Sequence, residues 1–146
     1  MKPLKVIIVD DNEPFRKALR TLLELEYKAE VIGEASCAED FEAMDNHRQA
    51  DIILMDVMMP EVDGITLAKK TLWNNSKLKI IAITMHFDKV YLESLVGAGF
   101  MGCIFKNNLF NELEIALDTV LNNNYYFPKG IKISNETNGT IIKNNQ

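Results

Sequence analysis

Five short runs rich in Val and Ile punctuate this chain, at residues 4–9, 29–35, 51–55, 79–84 and 102–105. Between and after them lie longer segments with helical spacing, at 13–25, 36–47, 65–73, 87–96 and 109–121. Phe15, Leu19, Leu22, Leu23 and Leu25 mark the first helical stripe, and Leu113, Ala116, Leu117, Val120 and Leu121 the last. Strands that are apolar throughout must be covered on both faces. Alternation with amphipathic helices therefore predicts a five-stranded parallel sheet between two helical layers, a doubly wound α/β fold with five helices.

Local signals set the predicted boundaries. Ser36-Cys37-Ala38-Glu39 has the pattern of a capping box and starts a helix running to about His47. Asp63-Gly64 marks a turn, and the fourth helix is expected to end at Gly97, with Gly99 close behind. Residues 1–124 form one expected domain. The tail, 125–146, changes composition to Asn, Gly and Thr. Tyr125, Tyr126, Phe127 and Pro128 are expected to pack the end of the domain, and Ile131 and Ile133 to form an extended edge piece. Disorder is expected beyond Ser134.

Composition excludes several function classes. At 146 residues with 47% apolar side chains, the chain is long enough for one real core. The net charge is −5 and the Lys and Arg residues are scattered, so direct nucleic-acid binding by this chain is not expected. Cys37 and Cys103 lack zinc-ligand spacing and read as reduced thiols, consistent with a cytoplasmic location. No stretch approaches the roughly 20 apolar residues of a membrane span. The Asn-x-Ser/Thr matches at Asn74, Asn135 and Asn138 read as chance. Gly97-Ala98-Gly99-Phe100-Met101-Gly102 matches G-x-G-x-x-G, but a helix precedes it and a strand follows, the reverse of a dinucleotide site.

In a doubly wound fold the site lies outside the carboxyl ends of the strands. Asp10-Asp11, Asp56, Thr84 and Lys106 all fall there. Three converging carboxylates repel one another and raise each other's pKa, a cost that a divalent cation relieves. An all-oxygen ligand set favours Mg²⁺ together with a phosphate. A hydroxyl and an ammonium beside it suit phosphoryl oxygens. An aspartate in that setting can attack a phosphoryl donor, which makes Asp56 the candidate nucleophile. Taken singly, the bland alternatives are a solvated turn at Asp10-Asp11, a surface lysine at Lys106 and a strand-end hydroxyl at Thr84. Likewise, His86 reads as a solvated helix start, Trp73 as packing, and Met55, Met58 and Met59 as loop and core filling.

With these residues in place, the chain resembles the receiver domain of bacterial two-component response regulators over about residues 4–124. The segments DDNEPFRKALRTLLE, VIGEAS, LMDVMMPEVDG and AGFMGCIFKNN carry the resemblance, which is nearest to the NarL/LuxR type. It implies a flavodoxin-like strand order, 2-1-3-4-5. It implies that Asp56 is the phosphoacceptor, that Asp11, Asp56 and the Met58 backbone carbonyl bind Mg²⁺ directly, and that Asp10 holds metal-bound water. Thr84 resembles the switch hydroxyl and Lys106 the lysine that pairs with a phosphoryl oxygen. Implied partners are a histidine kinase or phosphotransfer protein, and an effector or a second copy of the chain through the face of the fourth helix, fifth strand and fifth helix. The chain would not act as an enzyme beyond accepting and losing its own phosphoryl group.

Three departures stand out. Cys103 occupies the position, three residues before the lysine, where the family often has Tyr or Phe; the usual aromatic rotamer switch cannot operate there. Asn107 follows the lysine where Pro is common, so a trans bond is expected. Met85 follows Thr84 where a small residue is usual, and with Met58 and His86 it flanks the site. The alternative reading is an N-terminal fragment of a DNA-binding transcriptional regulator. Only 25 residues follow Leu121, and they show no helix-turn-helix pattern. A stand-alone receiver is the expectation the tail favours. A Mg²⁺-dependent phosphohydrolase and a receiver that never accepts phosphate are the remaining alternatives.

Overall fold

Apolar strand residues with β-branched side chains and capped amphipathic helices assemble as the alternation requires. The computed structural model describes residues 2–85, 88–128, 131–136 and 139–144. The elements are β1 (Lys5–Val9), α1 (Glu13–Glu26), β2 (Glu30–Ala35), α2 (Ala38–Glu42), β3 (Ile52–Asp56), α3 (Gly64–Asn74), β4 (Ile80–Thr84), α4 (Lys89–Ala98), β5 (Gly102–Phe105) and α5 (Leu109–Leu121). The strands form one parallel sheet in the order β2-β1-β3-β4-β5. The predicted fold class and strand order are thus the observed ones.

Strand alternation divides the core between two layers. Ile7, Val9, Ile53, Met55, Ile80, Ala82 and Cys103 face Phe41 of α2, Leu67 and Ala68 of α3, and Leu92 and Leu95 of α4. Val6, Ile8, Ile52, Leu54, Ile81, Ile83 and Ile104 face Leu19 and Leu23 of α1 and Leu113, Ala116, Leu117 and Val120 of α5. Among the described residues no helix is long and apolar enough to cross a membrane.

Several boundaries differ from expectation. α2 stops at Glu42 rather than near His47, and a separate 3₁₀ turn spans His47–Gln49. The cause is a local chain reversal: the His47 ring stacks on Phe41 at 4.1 Å, and its Nε2 lies 2.6 Å from the Phe41 carbonyl oxygen, which a continuing helix would use itself. The helix cap is Cys37, whose Sγ accepts from the Asp40 amide at 3.5 Å, while the Ser36 hydroxyl bonds the Asp40 carboxylate instead. α4 continues through Gly97 to Ala98 and is closed by Gly99, in the left-handed conformation at φ 99°. A Cβ at Gly99 would also lie 2.6 Å from Leu72, so backbone and packing both require glycine there.

The tail returns to the sheet. Tyr126 accepts from the Cys103 amide at 2.8 Å and donates its own amide to the Met101 carbonyl at 2.9 Å, adding a parallel bridge beside β5. Its hydroxyl donates to Glu112 of α5 at 2.6 Å. Beyond it, β6 (Ile131–Glu136) and β7 (Gly139–Asn144) pair antiparallel, and β7 lies against α4. These two strands form a sheet of their own, apart from the five-stranded one. The local signal for it is Asn138-Gly139 between two runs with β-branched residues.

Candidate functional site

Register brings the site together. Val9 pairs with Met55, Asp56 with Ile83, and Thr84 with Phe105. Asp10, Asp56, Thr84 and Lys106 therefore reach the same edge of the sheet from adjacent strands. Asp10 (2% exposed), Asp56 (4%) and Thr84 (0%) are buried; Asp11 is exposed. Carboxylate oxygens of Asp10, Asp11 and Asp56 all lie within 4.8 Å of one another.

Each side chain is held by its neighbours. Asp10 accepts from the Asn12 amide at 2.8 Å, and Asn12 in turn caps α1 through the Phe15 amide at 2.9 Å. Asp56 accepts from the Met58 amide at 3.2 Å. The Lys106 ammonium stands 2.9 Å from Asp10 and 3.7 Å from Asp56, and 4.3 Å from the centre of the Phe15 ring. The Lys106–Asn107 bond is trans, as expected without proline. Lys106–Asn108 form a 3₁₀ turn that runs directly into α5.

Burial, followed by the charge of Asp10, pushes the Asp56 carboxyl up to about 7, while Lys106 and the Met58 amide pull the other way. The remaining repulsion is what a hard divalent cation relieves. An all-oxygen donor set, two buried carboxylates and one exposed carboxylate open to solvent fit Mg²⁺. Met58 and Met85, 55% and 51% exposed, stand beside the site. His86, singled out from the sequence as a flanking residue, lies outside the described residues.

Sequence reading missed three contributors. Arg16 donates to the Asp10 carbonyl at 2.7 Å and pairs with Glu34 at 3.1 Å, so it fixes the backbone of the acidic pair from α1. Gly64 lies so near the loop after β3 that a Cβ there would be 2.4 Å from the Asp56 carbonyl oxygen. The turn signal at Asp63-Gly64 hinted at this glycine, but the reason for it is close backbone approach. Tyr91, in the first turn of α4, packs on the core layer that contains Cys103 and sends its hydroxyl inward. No spacing rule links it to strand ends.

Comparison with known proteins agrees with this geometry. The family model described as "Response regulator receiver domain" matches residues 6–118. Response regulator UvrY of Escherichia coli (strain K12) is 30% identical over 128 residues, which cover 88% of this chain and 59% of UvrY. The transcriptional regulatory protein LiaR of Bacillus subtilis (strain 168) is 32% identical over 114 residues, 78% of this chain and 54% of LiaR. The chain thus spans a little over half the length of these relatives. The isolated REC domain of RcsB from Salmonella enterica serovar Typhimurium, solved with the phosphomimetic BeF3⁻, superimposes with a TM-score of 0.76 at 26% identity, covering 87% of this chain and 94% of that one.

Proposed function

The chain belongs to the response regulator receiver family, and on that footing we propose that Asp56 is the residue that accepts the phosphoryl group. The observation that carries this is the convergence of three carboxylates within 4.8 Å, with the Lys106 ammonium bridging Asp10 and Asp56. A carboxylate oxygen of Asp56 attacks phosphorus. The O–P bond forms as the P–N bond to a donor phosphohistidine breaks, and the electron pair leaves on the imidazole nitrogen. The donor is a histidine kinase or a phosphotransfer protein. Asp10, Asp11, Asp56 and the Met58 carbonyl would hold Mg²⁺, which supplies positive charge to the phosphoryl oxygens and restores the ionised, nucleophilic form of Asp56. Lys106 leaves its place beside Asp10 and Asp56 to pair with a phosphoryl oxygen. Thr84 donates its hydroxyl hydrogen to another. The domain turns over only its own acyl phosphate and is not an enzyme with an external substrate.

Residues 1–124 constitute the receiver and 125–146 its tail, in a cytoplasmic protein. The output is a change in affinity for an effector or a second copy at the face built from α4, β5 and α5. A second reading is favoured by coverage: the chain matches 54% of a protein called a transcriptional regulator, so it is also read as the N-terminal part of a DNA-binding response regulator. Intact mass after incubation with acetyl phosphate and Mg²⁺ tests the phosphoacceptor assignment. One phosphoryl adduct is expected on wild type, none on Asp56→Asn and none with EDTA. An adduct that survives Asp56→Asn, or none on wild type under donor excess, would overturn it.

A further inference from the structure

Lys106 carries its charge into the site on a flexible four-carbon stem, so its neighbours must hold that charge in place. The ammonium has hydrogens to donate, and carboxylate oxygens of Asp10 and Asp56 lie 2.9 and 3.7 Å from it. Its third contact is of another kind: the nitrogen stands over the face of the Phe15 ring, 4.3 Å from the ring centre. That face is the negative end of the ring's quadrupole and attracts a cation, more strongly where water is kept away. The Lys106 side chain is only 16% exposed, which meets that condition. Phe15 is placed in turn by the acidic pair. Asp10 accepts from the Asn12 amide at 2.8 Å, and the Asn12 side chain accepts from the Phe15 amide at 2.9 Å. Asp10, Asn12, Phe15 and Lys106 thus close a circuit that joins the end of β1, the start of α1 and the end of β5. The ring also packs against the core layer between the sheet and α1 and α5. Packing there asks only for an apolar side chain; holding an ammonium asks for an aromatic face.

We infer that Phe15 is a positioning residue for Lys106: its ring keeps the ammonium in the site while the ammonium changes partner from Asp56 to a phosphoryl oxygen. The inference rests on Asp56 being the phosphoacceptor. The two carboxylates beside Lys106 are the same groups assigned to Mg²⁺, and Asp56 itself becomes the acyl phosphate. Of the three contacts the ammonium makes among the described residues, the ring is the one that loading the site does not claim. A carboxylate requires an N–H aimed at its oxygen. A ring face requires only that the charge stay above it. The nitrogen can therefore turn from Asp56 toward a phosphoryl oxygen without giving up the ring. The ring contact weighs more in the loaded site, where the carboxylates are engaged elsewhere, than in the resting one. Only such a difference between the two states changes the affinity for the phosphoryl group. A leucine would fill the same space and leave the ammonium to the carboxylates alone.

The test uses the whole chain in two measurements. In EDTA, NMR of the Lys106 ε-methylene reads the contact directly, because protons above a ring face are shielded. They are expected upfield of the other lysines in wild type and in Phe15→Tyr, and among the other lysines in Phe15→Leu. With Mg²⁺, titration with beryllofluoride followed by amide NMR reads the loaded site. Phe15→Leu is expected to bind several-fold more weakly and Phe15→Tyr within twofold of wild type. Phenylalanine carrying one, two or three ring fluorines, placed at Phe15 alone, keeps the ring's size while draining charge from its face. Affinity is expected to fall stepwise along that series toward the Phe15→Leu value. Wild-type affinity throughout the fluorinated series would overturn the inference, since the ring would then only fill space. So would an unshifted Lys106 signal in wild type, or a Phe15→Leu variant that binds as wild type does. No beryllofluoride binding by wild type, with the Lys106 shift in place, would instead defeat the phosphoacceptor reading and the inference with it.

Discussion

Neutralising Asp56 is expected to stabilise the metal-free protein, by an amount that depends on pH. The carboxyl rises from an ordinary 3.8 to about 7 in the fold. Each pH unit is about 1.4 kcal/mol, so ionised Asp56 costs the fold at most about 4 kcal/mol. The sign follows from proton binding. Between about pH 4 and 7 the folded carboxyl keeps a proton that the unfolded chain has lost, so stability falls as pH rises through that window and levels off above it. An asparagine side chain in its place would carry no charge. It would relieve the repulsion from Asp10, but it would also forfeit the attraction of the Lys106 ammonium 3.7 Å away. A gain of about 2–4 kcal/mol for Asp56→Asn at pH 8 is therefore expected, shrinking to near zero at about pH 4. Urea unfolding in EDTA at several pH values measures it. Added Mg²⁺ is expected to close the gap by stabilising wild type more than the variant. A gap that does not change with pH, or a less stable variant at pH 8, would refute the electrostatic account.

Lys106→Ala leaves the buried Asp10 and Asp56 carboxylates without their ammonium; a loss of about 3 kcal/mol at pH 8 is expected in urea melts, smaller at pH 5. Gly64→Ala drives a methyl group into the Asp56 carbonyl; a loss of about 1–3 kcal/mol is expected by thermal unfolding, with slower adduct formation by mass. Gly99→Ala is strained at φ 99° and collides with Leu72; a cost of about 1–3 kcal/mol is expected, whereas Gly97→Ala, with open space around its Cβ position, is expected to be neutral or stabilising. Arg16→Ala removes the guanidinium bonds to the Asp10 carbonyl and Glu34; a loss of about 1–3 kcal/mol is expected, together with weaker Mg²⁺ binding by titration.

The sheet and its order were legible because buried parallel strands write themselves as unbroken apolar runs, and because the strand ends carry their polar residues in plain view. Asp10, Asp11, Asp56, Thr84 and Lys106 needed no three-dimensional knowledge beyond the rule that ligands gather at one edge. What escaped was set by side-chain contacts across a turn, which helix and strand spacing do not encode. α2 ends where His47 stacks back on Phe41, and no propensity encodes that stacking. Arg16 looks like any charge on a helix until its fork is seen on the Asp10 carbonyl.

The bridge at Tyr126 has a mechanical consequence. The segment after α5 is not a free tether. Its backbone is bonded on both sides of Gly102, and a Cβ at Gly102 would lie 2.9 Å from the Tyr126 carbonyl oxygen, so glycine is what permits the close fit. Tension that reaches Tyr126 from the C-terminal side is therefore borne by β5, the strand that leads into Lys106, and by Glu112 of α5 through the Tyr126 hydroxyl. Whatever pulls on that end, whether a fused domain or a surface in a force experiment, loads the same strand whose end holds the ammonium of the site. Detaching Tyr126 would free two hydrogen-bonding positions on an edge strand, where another chain can pair.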